Sequence, residues 1–224
     1  MAIEKKTNAG QHGAMASVNL QHVPVRVAPG RRLPQLFGGL ALYGASMALQ
    51  IEATLGLAPW DVLHEAMHKR SGLSFGTITA ITGVLVMLCW IPLRQRPGVG
   101  TIANIALISV SVDVGLWLLP TPESLAPRVL FLTAGIVLNG LATAAYIGAR
   151  LGPGPRDGLM TGVAARTSVS IRWIRTGIEV TVLVTGWLLG GTVGLGTALY
   201  AVAIGPLAQA FLPWVSWDQH ARAK

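Results

Sequence analysis

The sequence repeats itself at an offset of 96 residues. Residues 38–110 align with residues 134–206 without a gap, and 21 of the 73 aligned pairs are identical. A self-match at one fixed offset is typical of a duplicated structural unit, so the sequence predicts two related halves. The densest identities are Leu55-Gly56-x-x-Pro59-x-Asp61-x-Leu63 with Leu151-Gly152-x-x-Pro155-x-Asp157-x-Leu159, Arg70 with Arg166, Ser74 with Ser170, and Gly98-x-Gly100-Thr101 with Gly194-x-Gly196-Thr197.

Each half contains three long apolar runs. Hydrophobic residues make up 52% of the chain and charged residues 12%, and the mean hydropathy is +0.56, which indicates an integral membrane protein. Because about 20 apolar residues in a helix cross a ~30 Å hydrocarbon core, the runs predict six transmembrane helices. They lie near 36–54, 75–93, 100–119, 128–149, 171–189 and 195–214.

An odd number of crossings in each half turns the second half over in the membrane. The predicted fold is an all-α integral membrane protein, with six transmembrane helices in two inverted three-helix repeats. The net charge of +8 is interpreted as a topology signal and not as a nucleic-acid site. With the N-terminus in the cytoplasm, the cytoplasmic connections contain Arg94, Arg96, Arg150, Arg156, Arg166, Arg172 and Arg175, and only Lys69, Arg70 and Arg128 fall outside.

The predicted organisation has five segments. Residues 1–35 form a disordered cytoplasmic tail, because they show no helical or strand period. The first membrane repeat covers 36–119, an external linker covers 120–127, and the second repeat covers 128–214. Residues 215–224 form a cytoplasmic C-terminal tail.

The repeated Gly-x-x-Pro-x-Asp-x-Leu element predicts a helix that stops and starts again. The glycine frees the backbone, the proline occupies the first helical position, and the carboxylate lies near the positive end of the helix dipole. About 12 residues of helix reach only ~18 Å, which predicts a short re-entrant or interfacial half-helix in each repeat. An alternative counts both short helices as crossings, giving eight spans and parallel halves, but the charge rule fits that count less well.

Paired helix breaks in two inverted halves indicate a binding site at the interface of the halves. The alternative is that both elements are capped surface loops. Asp113 and Glu179 interrupt apolar runs and are candidate coupling groups, with an Arg175–Glu179 ion pair as the alternative for Glu179. The candidate substrate-binding residues are Gly56, Pro59, Asp61, Arg70, Gly152, Pro155, Asp157 and Arg166.

Small residues four apart predict close helix packing. Gly44 and Ala48 match Gly140 and Ala144 in the repeat, so we expect close approach of the first and fourth predicted spans. The Gly-x-Gly-Thr sequences at 98–101 and 194–197 predict tight connections in which threonine caps the next helix.

The sequence His64-Glu65-Ala66-Met67-His68 has the H-E-x-x-H spacing of zinc proteases. Residues four apart share a helix face, so His64 and His68 meet one Zn²⁺ in this alternative, with Asp157 as third ligand. The second repeat has Met160, Thr161 and Ala164 at the equivalent positions, and the repeat accounts for Asp157 without zinc. No catalytic residue, metal or cofactor is therefore predicted. An intramembrane zinc metalloprotease stays a third hypothesis, after the two functions given below.

The string Leu55-Gly-Leu-Ala-Pro-Trp-Asp-Val-Leu63, its copy Leu151-Gly-Pro-Gly-Pro-Arg-Asp-Gly-Leu159 and the Gly98-Val-Gly-Thr101 turn resemble the YczE-like bacterial membrane proteins, which are grouped loosely with the YitT family. The resemblance covers about 36–214. It implies a multi-pass protein of the bacterial cytoplasmic membrane and supplies no catalytic residues.

We expect a transporter or channel-like protein that handles a small solute or ion at the interface of its halves, surrounded by the lipid bilayer. The alternative of another class is a non-transporting membrane partner that regulates or stabilises another complex. A homo-oligomer is left open.

Overall fold

The computed structural model describes residues 23–216, and this part of the chain is entirely helical. The prediction of an all-α fold is confirmed for these residues, which contain no strand. They form α1 (Pro29–Ala53), α2 (Pro59–Ser71), α3 (Phe75–Leu88), α4 (Trp90–Leu93), α5 (Val99–Leu118), α6 (Leu125–Gly148), α7 (Pro155–Ala164), α8 (Ile171–Leu188) and α9 (Leu195–Val215).

Four helical stretches are long and apolar enough to cross a membrane. They are Phe75–Leu93, which combines α3 and α4, Val99–Leu118, Leu125–Gly148 and Leu195–Val215. The other two predicted spans are more polar: α8 contains Arg172, Arg175 and Glu179 in 18 residues, and α1 contains Ser46 and Gln50. The two polar residues of α1 are buried against protein, where they do not meet lipid. The six-span arrangement stays a prediction.

Helices α1 and α6 form the centre of the fold and run antiparallel. At the start of α1, the fully buried Arg32 donates hydrogen bonds from Nε to Ala149 O at 2.8 Å and from Nη2 to Arg150 O at 3.0 Å, just beyond the end of α6. Cations stabilise the carbonyl end of a helix. The same guanidinium also donates to the carbonyl oxygens of Val23, Pro24 and Val27.

The opposite ends of these two helices repeat the same contact. Arg128, at the start of α6, donates from Nε to Ala53 O at 2.9 Å and from Nη2 to Thr54 O at 3.0 Å, at the end of α1. Arg128 lies 96 residues after Arg32, so repeat-equivalent arginines cap each other's helices. We call these two groups of hydrogen bonds the arginine clasps.

The N-terminal boundary differs from the prediction. Helix α1 begins at Pro29 and not near 36, and residues 23–28 are described as well. The predicted tail includes Arg32, whereas this residue is buried and, among residues 23–216, binds five carbonyl groups. Residues 1–22 of the predicted tail and residues 217–224 of the C-terminal tail lie outside the described residues.

The predicted close contact of α1 and α6 is present, but other glycines make it. A Cβ on Gly39 would lie 3.0 Å from Ala145 Cβ of α6, and one on Gly135 would lie 3.0 Å from Ser46 O of α1. The assignment of Gly44 and Gly140 to this contact was wrong. Gly44 packs against α5 and Gly140 against α9, because they lie on a different face of their helices.

The short helices have the predicted starts and lengths. Helix α2 has 13 residues and α7 has ten, which correspond to about 20 Å and 15 Å, too short to cross the membrane. Arg70 lies in the last turn of α2. Arg166 does not lie in α7, which ends two residues earlier at Ala164.

Candidate functional site

The breaks before α2 and α7 are built from glycines in a left-handed backbone conformation. Gly56 has φ +111° and Gly152 has φ +125°, values that residues with a side chain rarely adopt. The carbonyl oxygen of the residue before each glycine accepts a hydrogen bond from the other half. Gly196 N donates to Leu55 O at 2.8 Å, and Gly100 N donates to Leu151 O at 2.9 Å. The breaks are therefore fixed by reciprocal backbone contacts between the halves.

The Gly-x-Gly-Thr turns supply the donors for those contacts. Thr101 Oγ1 accepts from Gly98 N at 3.1 Å, and Thr197 Oγ1 accepts from Gly194 N at 3.2 Å. The predicted threonine caps are confirmed. A Cβ at Gly194 would lie 2.5 Å from Leu55 O, so the glycine is needed for this close approach.

Both half-helices start as the sequence predicts, with Pro59 and Pro155 in the first turn and Asp61 and Asp157 shortly after them. Neither aspartate accepts a hydrogen bond from a backbone amide of its own helix in the described residues. Asp157 instead accepts a hydrogen bond from Tyr146 of α6, and Asp61 lies beside His64 of its own helix. Capping alone does not account for these two side chains.

Asp61 lies beside a buried histidine. The residue is 4% exposed, and His64 Nδ1 lies 3.3 Å from Asp61 Oδ1. This oxygen has no partner in good hydrogen-bond geometry within residues 23–216. Thr79 Oγ1 lies 3.4 Å from the same ring nitrogen. Burial lowers the pKa of His64; the nearby Asp61 carboxylate opposes this shift, and the charge of Arg156 reinforces it. His64 is accordingly neutral at neutral pH.

Asp157 is held by a tyrosine. Tyr146 Oη donates to Asp157 Oδ2 at 2.6 Å, which joins the first turn of α7 to α6. Trp90 Nε1 donates to Pro155 O at 3.0 Å and fixes the same turn from α4. The start of α7 is therefore positioned by two other helices.

Arg156 and Trp60 face each other at the centre of the molecule. They occupy equivalent repeat positions, and the Arg156 guanidinium lies 4.7 Å from the centre of the Trp60 ring system, a cation–π distance. Arg156 Nη2 also lies 3.4 Å from His64 Nε2. Arg156 thus connects the beginnings of the two half-helices.

Two small cavities, each of about 70 Å³, adjoin Arg156 and share part of their lining. Both cavities are lined by Tyr43, Arg156 and Asp157, which form their common wall. The first cavity is otherwise lined mainly by the first turn of α7 with Thr79, Gly83 and Asn104. The second is lined mainly by the first turn of α2 with Arg175, Glu179 and Tyr200.

The two cavities occupy repeat-equivalent positions. Thr79, Gly83 and Asn104 lie 96 residues before Arg175, Glu179 and Tyr200, and the first turn of α7 lies 96 residues after that of α2. The duplication has therefore produced one cavity from each half. Their chemistry has diverged, because the first cavity has neutral residues where the second has an arginine and a glutamate.

The structure does not bring Arg70 or Arg166 to this centre. Arg70 lies at the far end of α2, where its Nε donates to Leu189 O at 2.9 Å, just past the end of α8. Arg166 is an exposed residue in the turn after α7. Of the eight predicted binding residues, the two prolines and Asp157 line the cavities. Asp61 directly follows the cavity residue Trp60, and Gly56 and Gly152 each lie two residues before a cavity residue. The two arginines lie apart.

The two coupling candidates have different surroundings. Asp113 accepts from Ser74 Oγ at 2.6 Å and from Gly76 N at 2.7 Å, so it caps the start of α3. Glu179 pairs with Arg175, with 2.8 Å between Oε1 and Nε, as the ion-pair alternative expects. Glu179 also lines the second cavity, whereas Asp113 lines a separate, larger hollow of about 640 Å³ near the end of α2.

The H-E-x-x-H side chains point to three different environments. His64 faces Asp61 and Thr79, while His68 Nδ1 lies 2.5 Å from Leu73 O. Glu65 Oε1 lies 2.7 Å from Lys69 Nζ and accepts from Thr192 Oγ1 at 3.0 Å. Within residues 23–216, no group of three or more His, Cys, Asp or Glu side chains is arranged to hold a metal ion. His64, His68 and Asp157 do not form the alternative zinc site.

Several residues that line the cavities were not predicted from the sequence. All three tyrosines of the chain line one or both cavities, and Trp60, Arg156 and Asn104 line them as well. The tyrosines were detectable in principle, because each is an amphipathic residue inside an apolar run. Arg156 was interpreted only as a topology charge.

Comparison with known proteins identifies the family. Residues 30–213 match the family described as "Family of unknown function (DUF6198)", and the chain belongs to this family. An uncharacterized protein of Haemophilus influenzae is 39% identical over 177 residues, which cover 79% of this chain and 81% of that protein. The uncharacterized membrane protein YczE of Bacillus subtilis is 34% identical over 179 residues, covering 79% and 83%.

A more distant relative, the uncharacterized protein YyaS of Bacillus subtilis, is 26% identical over 181 residues, which cover 79% of this chain and 90% of that protein. No solved structure matches the chain. The predicted YczE-like resemblance is confirmed. With its apolar helices, the chain is a membrane protein of this family.

Proposed function

We propose that the protein binds a small polar solute in its paired cavities and moves it across the bacterial cytoplasmic membrane. The observation behind the proposal is the pair of repeat-equivalent cavities that share Tyr43, Arg156 and Asp157. In an inverted repeat, equivalent cavities face opposite sides of the membrane. A solute at the common wall would then be reached from one side through the first cavity and from the other through the second.

The proposal includes six spans in two inverted halves, with both termini in the cytoplasm. Its support is the antiparallel packing of α1 and α6, whose ends are joined by the two arginine clasps. The reciprocal backbone bonds at Leu55 and Leu151 add to it. In this orientation the first cavity opens toward the cytoplasm and the second toward the outside.

The proposal is tested by cysteine labelling in sealed membrane vesicles. Cys89 is replaced by serine, and single cysteines are introduced by Asn104→Cys in the first cavity or Tyr200→Cys in the second. We expect an impermeant thiol reagent to reach position 104 from the cytoplasmic side and position 200 from the outer side, because each cavity has its own opening. The matched controls are Ala106→Cys and Val202→Cys, which lie two residues further along the same helices on the exposed surface; lipid should keep them unreactive.

Two results would contradict transport. If neither cavity position reacts from either side in a folded, membrane-inserted protein, no aqueous path reaches the cavities, and the non-transporting membrane partner becomes the better account. If both positions react from the same side, the cavities do not face opposite compartments.

A further inference from the structure

The common wall of the cavities presents one positive and one negative side chain that are not paired with each other. Arg156 and Asp157 both line both cavities. They are neighbours in sequence, yet no ion pair within 4 Å joins them, or joins either to another charged group, in the described part of the chain. Unpaired charges are rare in the interior of a membrane protein and mark functional sites.

The contacts of Arg156 leave its charge uncompensated. Its guanidinium lies over the neutral Trp60 ring and 3.4 Å from His64 Nε2. The imidazole is neutral at neutral pH because it is buried. These contacts fix the position of the planar guanidinium, whose geometry suits two parallel hydrogen bonds to a carboxylate.

Asp157 is positioned by a neutral donor in the same way. Tyr146 Oη binds Asp157 Oδ2 at 2.6 Å, and a carboxylate has capacity for further donors. Tyr43 and Tyr146 line the first cavity, and Tyr43 and Tyr200 line the second. Tyrosine oxygens and ring faces beside a carboxylate suit an ammonium group.

The second cavity also contains Arg175 and Glu179, but these two side chains neutralise each other across 2.8 Å. Trp60, at the start of α2, is 7% exposed, and its Nε1 donor has no acceptor among residues 23–216. Among the described residues that line the cavities, Arg156 and Asp157 therefore have no oppositely charged partner within 4 Å, and Trp60 Nε1 is a donor without an acceptor.

We infer that the solute is a small zwitterion with a carboxylate and an ammonium group, of the size and kind of a small amino acid. Its carboxylate binds Arg156, and its ammonium binds Asp157 and the tyrosine oxygens. A zwitterion compensates both charges of the wall and brings no net charge into the membrane, whereas a simple anion or a simple cation would compensate only one. This inference rests on the proposed function and names its substrate class.

The test measures binding by the full chain purified in detergent, as the rise in thermal unfolding temperature at constant ionic strength. Three probes are compared: glycine for a zwitterion, acetate for a carboxylate alone and methylammonium for an ammonium alone. We expect glycine to stabilise the protein, with a Kd at least about tenfold lower than that of either other probe, because it makes two charged contacts and not one.

Two variants make the test specific. Arg156→Gln should raise the Kd of glycine by about tenfold or more and leave methylammonium as the preferred probe. Asp157→Asn should raise it similarly and leave acetate as the preferred probe. The matched control is Arg172→Gln, which removes an exposed arginine of α8 and should change no affinity. Purely structural roles for Arg156 and Asp157 would not produce these opposite preferences.

The outcomes separate this inference from the proposed function. If acetate or methylammonium binds the unmodified protein as tightly as glycine, or if no probe binds, the zwitterion assignment is wrong. Labelling of positions 104 and 200 from opposite sides would still support a transport path for another solute. If that labelling fails as well, both the substrate class and the proposed function are wrong.

Discussion

Trp90 and Gly158 show how the two halves have diverged at single positions while keeping one shape. The Trp90 ring fills the space beside Gly158, where a Cβ would lie 2.0 Å from the ring. At the equivalent place in the other half, residue 186 is glycine and residue 62 is valine, and Gly186 lies against the backbone of Val62 and Leu63. In one half the large residue, Trp90, is on α4 and the glycine is on α7; in the other half the glycine is on α8 and the larger residue, Val62, is on α2. The contact is therefore preserved although the residues that make it differ.

Gly158→Ala should destabilise the protein by about 1–3 kcal/mol, because the added methyl group overpacks a rigid ring held by its own hydrogen bond to Pro155 O. The measurement is thermal or denaturant unfolding of the purified protein. Gly177→Ala is the control, since a Cβ at that helical glycine meets nothing within 4 Å and should be neutral or slightly stabilising. Equal effects of the two substitutions would contradict the packing account.

At the scale of elements, the sequence predicted the starts of the half-helices well because their signals are local. Pro59 and Pro155 begin helices and Gly56 and Gly152 break them, for reasons contained within a few residues. The start of α1 was misplaced because its cause is non-local: Arg32 binds the end of α6, 117 residues away along the chain. Likewise, the sequence alone does not show which neighbouring helix packs against Gly44 or Gly140.

Arg32→Lys should cost about 3 kcal/mol or more, because a single ammonium group cannot replace a guanidinium that binds five carbonyl oxygens in a fully buried position. Unfolding of the purified protein gives the difference. Arg31→Lys is the neighbouring control; its side chain is exposed, and the change should have little effect. If Arg32→Lys is as mild as the control, the clasp does not hold α1 to α6.

For the whole molecule, the 96-residue repeat predicted two halves, and the clasps, the backbone bonds and the cavities all occur as pairs at that offset. The sequence did not predict the contact between Arg156 and Trp60. These two residues occupy equivalent positions but are not identical, so the comparison of the two repeats does not single them out. Arg70 and Arg166 are identical between the repeats, yet both lie away from the two cavities. Identical residues in the two repeats indicate shared architecture, whereas the proposed binding site between the halves does not require the same residues from each half.

Opposite orientations of the two halves in the membrane can be tested by comparing Gly30 with Ala126. These exposed residues lie 96 positions apart, near the starts of α1 and α6. Single cysteines at the two positions, in a Cys89→Ser background, are treated with an impermeant thiol reagent from each side of sealed vesicles. The account predicts that position 30 reacts only from the cytoplasmic side and position 126 only from the outer side. Reaction of both positions from the same side would mean parallel halves and would contradict it.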